Sequence, residues 1–70
     1  MSEVQDDLQA QFRETGLAVL PATQDHVGHY GKAERWQLMR AARALGLRIS
    51  TKMYWLEGQK CLAGFVEGLA

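Results

Sequence analysis

The chain has few of the residues that cross-link or stiffen a small protein. It holds one cysteine, Cys61, and one proline, Pro21, in 70 residues. A lone thiol excludes an internal disulfide and fits a reducing compartment, so a cytoplasmic setting is expected. No apolar run reaches the ~18 residues of a membrane-spanning helix, and no membrane partner is expected. The acidic, polar opening from Met1 to Asp7 does not read as a secretory leader. An excess of charge of one sign is also missing: eight Lys and Arg meet eight Asp and Glu.

Length sets the next limit. Seventy residues make one domain, 1–70. A chain this short buries only ~60% of its unfolded surface, and one core of that size supplies ~3–5 kcal/mol. A deep catalytic cleft is hard to build on such a scaffold. The expectation is a protein that works by binding, with no enzymatic activity, cofactor or metal.

The neutral total conceals an uneven distribution. Residues 1–25 carry five acids against Arg13 alone. Residues 26–60 carry Lys32, Arg35, Arg40, Arg43, Arg48, Lys52 and Lys60 against Glu34 and Glu57. Basic residues gathered on one element are what phosphate binding needs, because each cation that meets a phosphate releases condensed counterions. A plain solvated helix face has the same composition, and the acidic segment is a candidate to neutralise the basic one.

Hydrophobic spacing orders the elements. Val4, Leu8 and Phe12 repeat at i, i+4, i+8 and predict a helix over 3–14, with Ser2 as N-cap, Gln5 completing a capping box and Gly16 ending it. Leu17 to Leu20 reads as a short buried strand stopped by Pro21. Residues 21–31 have loop composition, with Thr23 placed to cap a helical turn over Gln24–Val27. Lys32 to Leu45 is rich in strong helix formers and is followed by Gly46. At 100° per residue, Leu38, Ala41, Ala42 and Leu45 fall on one side. Lys32, Trp36, Met39, Arg40 and Arg43 fall on the other.

The last third supports two patterns. Leu47, Ile49, Thr51, Met53 and Trp55 alternate with polar neighbours, as in a strand. Glu57-Gly58 then serves as a two-residue turn, with Ile49 facing Val66 and Met53 facing Leu62. As a helix, Trp55, Leu62, Phe65, Val66 and Leu69 share one arc, but Gly58, Gly64 and Gly68 each cost it ~1 kcal/mol. The glycines and the β-rich stretch favour the hairpin. The fold class is then α+β, in the order α-β-α-β-β. An all-α helical dimer is the alternative.

Other constellations carry less. Asp25, His26 and His29 form a D-H-x-x-H cluster that matches no strong zinc signature and reads as loop histidines. Cys61 reads as a buried, inert thiol. Gly28-His29-Tyr30-Gly31 lacks the basic middle of a backbone-clamping loop. Tyr54, Trp55 and Phe65 are expected in the core.

Helix, short strand, basic helix and two strands joined by a turn: in order and size this resembles the winged-helix DNA-binding domains. The resemblance implies a transcription regulator, with helix 32–45 as the reading helix. Arg35, Arg40, Arg43 and Gln37 would be its contacts, and Lys52 and Lys60 would sit on the wing. Lys32, Trp36 and Arg48 complete the expected nucleic-acid surface. The run Ala41 to Leu47 also looks like the first helix and turn of a helix-turn-helix, with Ser50 or Thr51 capping a next helix over 51–68. A function from another class is a protein-interaction module or inhibitor. It would oligomerise or dock through Trp36, Met39 and the C-terminal apolar segment.

Overall fold

A computed structural model describes residues 3–69, with side-chain surroundings for 3–67. Its elements run α1 (Glu3–Thr15), β1 (Leu17–Pro21), α2 (Lys32–Ala44), β2 (Leu47–Leu56) and β3 (Gln59–Leu69). The fold is therefore α+β in the expected order. The strands make one antiparallel sheet in the order β1-β3-β2.

The β2–β3 hairpin excludes the helical reading of the last third, and with it the all-α dimer and the helix-turn-helix over 51–68. Ile49 pairs with Val66 and Met53 with Leu62. Glu57 and Gly58 both take positive φ, 51° and 79°. Such turns match the right-handed twist of the flanking strands. A shift in register between Arg48 and Ile49 leaves Glu67 without a partner across the pair.

Both helices cover the same face of the sheet. Leu8 and Phe12 from α1 and Leu38, Ala41 and Ala42 from α2 meet Ala18 and Leu62, with Leu20, Ile49, Met53 and Val66 packed around them. Val4, the first member of the α1 stripe, stays exposed. Gly64 lies where the three layers converge. A Cβ there would sit 3.1 Å from Ile49 Cδ1, 3.3 Å from Phe12 Cζ and 3.5 Å from Leu38 Cδ2. The central strand carries no side chain at this point, so both helices can approach its backbone. Gln5 donates to the Gln37 carbonyl at 3.0 Å and to the Gln37 side chain, which ties α1 to α2. Its expected capping partner, Ser2, lies outside the described residues.

The edge of β1 is closed. Gln11 Oε1 accepts from the Val19 N–H at 3.1 Å, Thr15 Oγ1 donates to the Leu17 carbonyl and accepts from its N–H, and Pro21 has no N–H. Such blocking suppresses edge-to-edge pairing with another chain.

The expected helical turn over Gln24–Val27 is replaced by a tight loop. Gln24 bridges Tyr30 in antiparallel fashion, and Gly31 N–H donates to the Thr23 carbonyl. Asp25 closes the loop by accepting from the Val27 and His29 amides at 2.9 and 3.0 Å. Those bonds hold its carboxyl below the ordinary 3.8, chiefly through the His29 N–H. Gly28 and Gly31 sit at positive φ and help the chain double back, so that the Asp25 N–H donates to the His29 carbonyl. Thr23 instead donates its N–H and hydroxyl to the Glu34 carboxylate.

Candidate nucleic-acid interface

The free face of α2 follows from its sequence. Leu38, Ala41 and Ala42 are buried against α1 and the sheet. Residues on the opposite side of the wheel must then face outward. Lys32, Arg35, Trp36, Met39, Arg40 and Arg43 line one open groove of about 650 Å³. That volume suits a small ligand. Yet every lining residue comes from a single helix, so no second wall encloses it.

The residues lining this face include four cations and no acid. Glu34 is the sole acid in α2, and Thr23 occupies its carboxylate at 2.9 and 3.1 Å. Asp25 serves its own loop, and Asp7 accepts from Gln11. The side-chain hydrogen bonds of the described residues include none from Lys32, Arg35, Arg40 or Arg43. A second, smaller cleft of about 240 Å³ adjoins the first. It is lined by Met39, Ala42, Arg43, Leu47, Arg48 and Ile49. Met39 and Arg43 belong to both, so the basic strip passes from α2 onto the start of β2 and takes in Arg48.

Two expected members lie elsewhere. Lys52 is one residue from Met53, whose side chain packs in the core, so Lys52 projects from the uncovered face of the sheet. Lys60 is on the helix-bearing side, directly across from Trp55. Its ammonium lies 4.4 Å from the centre of the Tyr30 ring and 5.9 Å from that of Trp55. At exposed sites such cation–π contacts contribute about 0.5–1 kcal/mol each.

The aromatic residues correct one expectation. Among the described residues, Phe12 is the sole aromatic side chain in the buried core. Trp36 is 72% exposed and Trp55 68%, while Tyr30 and Phe65 are also exposed. Trp55 escapes burial because α2 begins too late to cover it. Gly31, just before α2, sits against Met53 and Leu62, and Trp55 is the next inward-facing position toward the turn. Period-two spacing holds the Trp55–Lys60 pairing. Nothing in the pattern points to Tyr30, which the loop delivers.

Among the described residues no group of three or more His, Cys, Asp and Glu stands in reach of one metal ion. Cys61 is buried, its Sγ 3.6 Å from the Gln59 carbonyl. No described helix is long and apolar enough to cross a membrane. No family model, curated protein or solved structure matches this chain.

Proposed function

We propose that this chain is a small nucleic-acid-binding protein, a transcription regulator that reads duplex DNA with α2 and works by binding. The observation that carries the reading is the shared groove of Lys32, Arg35, Arg40 and Arg43, whose one acidic helix neighbour is held by Thr23. An α-helix fits the major groove, where arginines and lysines on its outward side reach the phosphates along the groove walls. Arg48, beside Arg43, extends the phosphate contacts. The element order supports a winged-helix-like docking. The tight loop at residues 22–31 stands where that pattern has a further helix before the reading helix.

The test is a titration of a labelled duplex at several salt concentrations. Five cations on phosphates would give a log–log slope of about −4.5, a loss of roughly 500-fold in affinity from 50 to 200 mM salt. Affinity that ignores salt, or no binding at 50 mM, overturns the reading.

A second reading has its own observation. The sheet face away from the helices is uncovered and exposes Leu17, Leu56 and Phe65. It favours a protein partner or a second copy of the chain. Concentration-dependent size in sedimentation, with no duplex binding, would favour it.

A further inference from the structure

The hairpin end carries a cluster that the α2 reading does not use. Tyr30, Lys60 and Trp55 form it, with the ammonium of Lys60 facing both rings. A purely structural latch between the hairpin and the preceding loop would bury its rings. Here Trp55 is 68% exposed and Tyr30 42%. The cluster is next to the start of the basic helix along the chain. Tyr30 leads through Gly31 into Lys32, and Gly31 is pressed against Met53, whose next neighbour on that face of β2 is Trp55.

The ligand chemistry follows from what is already in place. A cationic ligand would compete with Lys60 for the rings and meet its charge. A purely apolar ligand would strip water from the ammonium and leave it unpaired. A nucleotide satisfies both groups, its base lying on a ring and its phosphate meeting the ammonium. Bases inside a duplex are stacked on each other and offer no free face, so the occupant must be unpaired.

We propose that Tyr30, Lys60 and Trp55 form a stacking site for an unpaired base, so that the protein prefers a duplex with a single-stranded overhang to a blunt one. The inference rests on the α2 reading for the duplex part of the contact. Stacking of one base on an aromatic side chain changes affinity by roughly 5- to 150-fold.

Three probes test it at one fixed salt concentration: a blunt 12-base-pair duplex, the same duplex with a six-nucleotide overhang, and the six-nucleotide strand alone. The expected result is overhang binding at least 5-fold tighter than blunt binding. Trp55→Ala should abolish that gain and leave blunt binding within 2-fold, while Trp55→Phe, which keeps a ring, retains most of it. Equal affinity for blunt and overhang probes overturns the stacking site and leaves the α2 reading standing. So does a Trp55→Ala loss that is the same on both. Binding that requires the single strand, with none to the blunt duplex, supports the stacking site and overturns the duplex reading. No binding to any probe overturns both.

Discussion

Gly31 fixes how the basic helix meets the sheet, and replacing it should separate two costs. It is buried, has φ +78°, and precedes α2 as its N-cap. An alanine there must hold a left-handed backbone, at about 1 kcal/mol. Its Cβ would also stand 2.7 Å from Met53 Cε and 3.6 Å from Leu62 Cδ2. Met53 Cε is a flexible end, but it packs against the core, and overfilling such a site costs about 1–3 kcal/mol. Gly31→Ala should therefore cost about 2–4 kcal/mol, close to the whole ~3–5 kcal/mol that a core of this size supplies. Met53→Val removes the sulfur and methyl that crowd the site. In that background Gly31→Ala should cost only the backbone part, about 1 kcal/mol. Urea unfolding of the four proteins, followed by circular dichroism, gives the coupling directly. Equal costs in the two backgrounds would refute the steric argument. A neutral Gly31→Ala would refute the left-handed geometry as well.

Three other outcomes follow from local geometry. Glu57→Asn should stabilise the hairpin by about 0.5–1 kcal/mol, since asparagine tolerates the positive φ of this turn better, and a lowered urea midpoint would contradict it. The Asp25 carboxyl is held below 3.8, first by the His29 N–H. Its support of the loop is thus complete above the unfolded value and is lost as pH falls through the folded one. The amide shifts of Val27 and His29 should titrate with a midpoint below 3.8, and a midpoint at or above that value would refute the assignment. Gln11→Ala leaves the Val19 N–H of the β1 edge without its acceptor. It should cost about 1–2 kcal/mol and speed exchange of that amide, whereas unchanged exchange would show that the edge is not closed by Gln11.

The order of elements and the hairpin register were legible because period-two alternation and the Glu57-Gly58 turn agree with each other. The outward set on α2 was legible because the helix has a clear core side in Leu38, Ala41 and Ala42. The aromatic placement was not. Composition says that a small chain needs its rings in the core, but burial depends on which helix reaches which strand. Neither described helix extends over Trp55, which stays 68% exposed. The loop at 22–31 misled for a related reason. Thr23 and Asp25 are residues that cap helices, and the same oxygens close tight loops when glycines follow. The closed β1 edge depends on side chains of α1 reaching across, and no spacing rule reports that.

The central claim is that the outward cations of α2 meet phosphates. Its most direct test compares the salt dependence of duplex binding for the native chain and for Arg40→Ala/Arg43→Ala, both shown to be folded. Losing two phosphate contacts should flatten the log–log slope by about 1.8. An unchanged slope would contradict it.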